Sequence, residues 1–179
     1  MNILKFSEII GNLKRLKRTG WVKNNITNSE TVAEHSFRLA ILVMVFAPQG
    51  GVDQLKAIKM ALIHDVGEAE IGDIVTQHGQ EPVKQLMEKL GKEREAVQQI
   101  FSLLDTTEYL SLFDEFEENK TPEAKLVKQL DKLEMALQAY EYEKQQNINL
   151  EPFFENVKPA IINADLLNFL NTIEAKRNK

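Results

Sequence analysis

Apolar positions recur at helical spacing along almost the whole chain. Ile3, Phe6, Ile9, Ile10, Leu13 and Leu16 form a first stripe that ends at a turn at Gly20, where a loop from Arg18 to Glu30 lies. Thr31 followed three residues later by Glu34 is the signature of a capping box. It launches a strongly apolar helix through Phe46 that Pro48 and the Gly50-Gly51 pair bring to an end. Asp53 is the N-cap of a third helix, whose Leu55, Ile58, Ala61, Leu62 and Val66 make an inward face and whose end Gly67 marks. A short helical piece from Glu68 to Ile71 gives way at Gly72 to a polar loop, Asp73 to Gln80, and helical patterns resume at Pro82 and again after Gly91. Thr121-Pro122 sets an N-cap before a proline at the first helical position. A long helix then runs to about Gln146, with Val127, Leu130, Leu133 and Leu137 toward the core. Two shorter stretches, near Leu150 to Val157 and Ala164 to Ala175, complete an all-α pattern. No linker, repeat or low-complexity tract interrupts it, so one helical-bundle domain over residues 1–179 is expected.

A chain of 179 residues can bury a core without disulfides, and this one has no cysteine. Any metal must then be held by nitrogen and oxygen ligands, and the expected setting is a reducing, cytoplasmic one. No run approaches the roughly 18 to 20 apolar residues of a membrane span, and the N-terminus lacks the pattern of a signal peptide, which predicts a soluble protein. The net charge of −5 is unevenly spread: Lys5, Lys14, Arg15, Lys17, Arg18 and Lys23 against Glu8 give residues 1–25 a local +5 and leave −10 on the rest. Such a basic segment can draw in a small anion, while the overall sign excludes a large duplex nucleic-acid footprint. A solvated helix face is the alternative for these residues.

Only three histidines occur, and two of them, His35 and His64, fall on or beside apolar helices with Asp65 and Asp131. Two imidazoles and two carboxylates converging from three helices can bind a divalent cation and leave positions open for water. Consecutive residues diverge by about 100° on a helix, so His64 and Asp65 can share one ion only near a helix end, which is where they lie. From the residues alone the alternative stays open: hydrogen-bonded core histidines beside salt-bridged surface aspartates.

The order H, HD, D along an all-helical chain resembles the HD-domain metal-dependent phosphohydrolases. The resemblance rests on RTGWVKNN at Arg18 to Asn25, SETVAEHSFRLA at Ser29 to Ala40, ALIHDVGEAEIGDI at Ala61 to Ile74 and KLVKQLDKLEMALQAYEYE at Lys125 to Glu143. Within that family these strings are most similar to the 5′-deoxynucleotidases, which implies release of phosphate from deoxynucleoside 5′-monophosphates on an HD-domain helical bundle. It implies His35, His64, Asp65 and Asp131 as metal ligands. Glu68 matches the family's catalytic glutamate, placed to orient or deprotonate the attacking water. Asp73 matches an aspartate near the nucleotide, serving the sugar hydroxyl or proton transfer.

Trp21, the sole tryptophan, lies 14 residues before His35 and matches a residue that packs on the sugar and disfavours a ribose 2′-hydroxyl. Some members have arginine directly before that tryptophan. Here Gly20 stands there and the arginine is Arg18, which is expected to approach the phosphate by another path. Thr76 matches a substrate-contacting threonine, whereas His78 has no matching role and reads as an exposed loop residue. The resemblance further implies one divalent cation, with Zn, Mn, Co and Fe(II) all compatible, and a homodimer. Two alternatives are another HD-family reaction, on cyclic, triphosphate or alarmone nucleotides, and a non-enzymatic metal-stapled module that recruits a protein partner.

Overall fold

The computed structural model describes residues 1–74 and 83–177. The N-terminal stripe splits in two: α1 (Ile3–Ile10) passes into a 3₁₀ turn over Gly11–Lys14. The expected loop beyond it contains a short helix, α2 (Thr19–Lys23), which carries Trp21 into the core. Five residues are too few for a periodic pattern to reveal, and tertiary packing rather than propensity holds the helix. The Thr31 capping box forms as its residue types predict, with Thr31 Oγ1 accepting from the Glu34 amide at 3.2 Å and Glu34 Oε2 accepting from the Thr31 amide at 2.6 Å. It opens α3 (Val32–Gly50), which runs through Pro48 instead of stopping before it. Proline removes the amide that would bond the Met44 carbonyl. That carbonyl accepts from Gln54 Nε2 at 2.8 Å, so the lost bond is replaced and the helix continues to Gly51 at φ 64°.

Asp53 caps α4 (Gln54–Ile63) by accepting from the Lys56 amide. Leu55 and Leu62, expected to face inward, are exposed. Ala57, Met60, Ala61 and Ile63 form the buried face, a rotation that apolar residues on both sides of a short helix conceal. The short α5 (Glu68–Ile71) ends at Gly72, whose φ of 79° favours glycine. Gly91 does not divide the next segment, since α6 (Val83–Ser102) is continuous across it. The following α7 (Glu108–Glu118) is a further helix not resolved in the sequence pattern, closed by Asn119 in the left-handed region.

The longest element, α8 (Pro122–Gln146), is capped by Thr121 and packs against α3, α4 and α7 as well as the two C-terminal helices α9 (Glu151–Val157) and α10 (Ala164–Arg177). Val127, Leu130, Leu133, Ala136 and Ala139 give it a wholly buried stripe, and the buried apolar residues form one cluster around it. Among the described residues the fold is all-α: the single extended contact is an isolated bridge between Lys17 and Thr31, and no helix is long and apolar enough to cross a membrane. Because α3, α4 and α8 pack on one another, a residue early in α3, one past the end of α4 and one in the middle of α8 meet in the interior.

Candidate metal centre and active site

His64 occupies the C-cap of α4, and Asp65 follows in the turn that leads to α5. His64 keeps helical backbone angles, and its Nε2 nonetheless lies 3.1 Å from Asp65 Oδ2. Gly67 lets this turn press on α6, since a Cβ at that position would stand 3.0 Å from both the Glu93 carbonyl oxygen and Val97 Cγ2. His35 arrives from the first turn of α3, with no exposed surface, and Asp131 from the middle of α8. His35 Nε2 is 3.3 Å from His64 Nε2, 3.2 Å from Asp131 Oδ1 and 3.9 Å from Asp65 Oδ2.

Both rings have their other nitrogen engaged. His64 Nδ1 donates to the Ala61 carbonyl at 2.9 Å, and His35 Nδ1 donates to Glu134 Oε2 at 2.5 Å. A carbonyl and a carboxylate only accept, so Nδ1 carries a proton on each ring and Nε2 is the atom left to face a cation, which would displace any proton held there. One ligand atom each from His35, His64 and Asp131 lie within 4.8 Å of one another, a donor set that fits a divalent cation with nitrogen and oxygen preferences. Asp65 Oδ2 lies within 3.9 Å of both imidazole Nε2 atoms. A second group of three, Glu30, His35 and Glu134, lies around the His35 ring.

Two cations border the cluster: Arg18 Nη1 is 2.9 Å from Asp65 Oδ2, and Lys132 Nζ is 3.2 Å from Asp131 Oδ2. Burial pushes the Asp65 carboxyl up, but His64, Arg18 and His35 outweigh it and hold it below the usual range. Burial acts likewise on Asp131 and is outweighed by Lys132 and His35. Burial and Arg18 pull His35 down, yet Glu134 and Asp131 prevail and raise it to about 9. Glu68 behaves in the opposite sense: burial, then Asp65 and Asp73, push its carboxyl up to about 10. Its Oε2 is buried and finds no hydrogen-bond partner among the described residues. An unsatisfied buried oxygen costs stability, so its retention beside the cluster points to use.

Of the residues proposed from sequence, the structure brings His35, His64, Asp65, Asp131, Glu68 and Arg18 together. Asp73 is turned toward the Arg18 segment: its Oδ2 accepts from the Thr19 amide at 2.6 Å and its carbonyl accepts from Thr19 Oγ1 at 2.7 Å. One of its two carboxylate oxygens thus anchors the start of α2. Trp21, expected to pack on the sugar, is placed in the core. It is 2% exposed, stacked on Phe153 at 4.4 Å between centroids and edge-on to Tyr142 at 5.3 Å. Almost no face remains for a sugar, and its Nε1 donates to Glu30 Oε1 at 2.8 Å. Thr76 and His78 lie outside the described residues.

Glu134, Arg38, Glu30 and Lys132 were not singled out from sequence. The available signal was spacing, because Glu134 stands three residues after Asp131 and Arg38 three after His35, on the same helix faces as the ligands.

The family pattern described as HD domain matches residues 10–165. 5′-Deoxynucleotidase HDDC2 from Danio rerio is 35% identical over 181 residues, 98% of this chain and 88% of that protein. The Dictyostelium discoideum protein of the same name is 41% identical over 172 residues, 88% of each chain. Among solved structures, a conserved hypothetical protein from Pyrococcus furiosus matches with a TM-score of 0.79 and 33% identity, over 96% of this chain and 99% of that one.

Proposed function

Because the chain belongs to the HD-domain family, in its 5′-deoxynucleotidase branch, we propose that it is a metal-dependent phosphomonoesterase releasing phosphate from deoxynucleoside 5′-monophosphates. The observation that carries this reading is the pair of imidazoles whose Nδ1 atoms both donate elsewhere, leaving two Nε2 atoms 3.3 Å apart beside Asp131. His35, His64, Asp65 and Asp131 would hold the cation. When bound, a divalent cation supplies Lewis acidity to a phosphoryl oxygen and lowers the pKa of a neighbouring water from about 15.7 toward 7. The donor set suits Zn, Mn, Co and Fe(II) alike.

Glu68, one turn beyond Asp65 with an uncommitted oxygen, would orient the attacking water and take up its proton once the burial and negative charge that raise its carboxyl are offset by a cation beside Asp65. Arg18, beside Asp65, offsets charge on the phosphoryl group in transfer, where most of the stabilisation arises when the protein does little covalent work. Asp73 holds the Arg18–Thr19 backbone and offers its second oxygen to a sugar hydroxyl or to proton transfer. Thr76 is assigned a substrate contact on the family resemblance alone. We place the reaction in the cytoplasm, where nucleoside monophosphates occur.

The same reading includes a homodimer. Its support is a stripe of exposed apolar side chains, Phe37, Ile41, Met44 and Val45, on the face of α3 turned from the core. Light scattering should report twice the chain mass, and Phe37→Glu should halve it.

Phosphate release from metal-stripped protein, with each cation returned in turn, tests the activity across mono-, di-, tri- and cyclic nucleotides. Turnover confined to deoxynucleoside monophosphates is expected. Preference for a cyclic or triphosphate substrate, or no turnover with any cation, would overturn the reading.

A further inference from the structure

We propose that Glu134, clamped by Arg38, is a positioning residue that fixes the His35 imidazole with Nε2 directed at the cation site; the inference rests on the metal-centre reading above. The Glu134 carboxylate has no exposed surface. Its Oε2 accepts from His35 Nδ1 at 2.5 Å and its Oε1 from Arg38 Nε at 2.7 Å. Arg38 is itself tethered, with Nη2 donating to Gln138 at 2.6 Å and Nη1 to Glu141 at 2.8 Å. Removing an ionised carboxylate from water is costly unless every side of it is answered, and here an imidazole and a guanidinium answer both oxygens.

The arrangement is built by helix spacing. His35 and Arg38 are three residues apart on α3, Asp131 and Glu134 three apart on α8, and Gln138 and Glu141 extend the same face of α8. The two turns that bring metal ligands together therefore also bring the clamp. An ion pair needed only to join α3 to α8 would be satisfied by Arg38 with Glu141 and Gln138. The Glu134 oxygen on His35 Nδ1 adds something else, because it decides which ring nitrogen carries the proton and raises the donor strength of the other. Trp21 reinforces the same wall through Glu30, whose carboxylate belongs to the group around His35.

Two measurements on the full chain test this. In metal-free wild type, nitrogen-resolved NMR should show a His35 Nδ1 proton protected from solvent exchange, and Glu134→Gln should lose that protection. Co²⁺ titration followed by its visible absorption should show affinity reduced 10- to 100-fold in Glu134→Gln, the range for second-layer carboxylates. Arg38→Lys, which keeps the charge, should lose less affinity than Arg38→Met. A folded Glu134→Gln protein with wild-type Co²⁺ affinity, or an unprotected Nδ1 proton in wild type, would overturn the inference. Should Glu134→Gln fail to fold, unchanged Co²⁺ affinity in Arg38→Met would overturn it instead. Wild type that binds no Co²⁺ would defeat the metal-centre reading, while the Nδ1 proton would still report on Glu134.

Discussion

Arg18 and Asp65 are joined across 47 residues of sequence by a contact of 2.9 Å, on the same carboxylate oxygen that His64 Nε2 approaches to 3.1 Å. A half-buried guanidinium is thereby held at the edge of the candidate cation site, and in the proposed reaction it would offset charge on the phosphoryl group. Arg18→Met should reduce kcat/KM roughly 10- to 100-fold, the equivalent of one charge-assisted hydrogen bond of about 1.5–3 kcal/mol. Bound metal, measured by elemental analysis at saturating cation, should not change, because all four proposed ligands remain.

Glu68 separates chemistry from binding in the complementary way. Glu68→Gln keeps the shape of the side chain and removes its capacity to take a proton, so the rate should fall by roughly 10²- to 10⁴-fold while metal content stays at the wild-type level. Asp65→Ala should lose both together. Full activity in Glu68→Gln would remove this residue from the mechanism.

Trp21 should affect folding more than selectivity. Trp21→Ala opens a hole beside Phe153 and Tyr142 and should cost about 3–5 kcal/mol in urea denaturation. Trp21→Phe keeps a ring but leaves Glu30 without its indole donor, for a cost of about 1–3 kcal/mol. The ratio of deoxyribo- to ribonucleotide turnover should be unaltered in Trp21→Phe.

Gly67 is needed for closeness, not for an unusual backbone angle. Its φ of −57° suits any residue, yet a Cβ would meet the Glu93 carbonyl oxygen, a backbone atom with little freedom to give way. Gly67→Ala should destabilise the protein by about 1–3 kcal/mol, and because Asp65 moves with the turn it should also weaken Co²⁺ binding.

Acid should weaken the tie between α8 and the C-terminal helix α10. Burial alone would raise the Glu143 carboxyl, but the two-pronged contact from Arg177, at 2.6 and 2.8 Å, and the Leu150 amide hold it below its ordinary value of 4.5. A carboxyl lowered in the folded state binds its proton more readily when unfolded. Its contribution is therefore complete above the ordinary value and is lost as pH falls through the lowered one. Urea midpoints at pH 7 and pH 3 should converge in Glu143→Gln relative to wild type.

Helix caps were readable in the residues because they are local. Thr31 with Glu34, Asp53 and Thr121-Pro122 each satisfy backbone groups within one turn, and all three form where their residue types place them. Facing was less readable. Leu55 and Leu62 are as apolar as Met60, and only the packing of α3 and α8 on α4 chose which side to bury. Pro48 misled for a related reason, since the group that replaces its missing bond, Gln54, belongs to the next helix.

In the candidate site, the scarce histidines and the HD pair nominated His35, His64, Asp65 and Asp131 without excluding structural roles, and the four family-like segments decided between the two, because residue chemistry and order are properties of the chain alone. Which nitrogen each ring presents, what holds it, and whether a tryptophan meets ligand or core depend on atoms brought from remote positions. Glu134 on His35, Ala61 on His64 and Phe153 on Trp21 are such partners, and a linear pattern carries no distance between them until the helices pack.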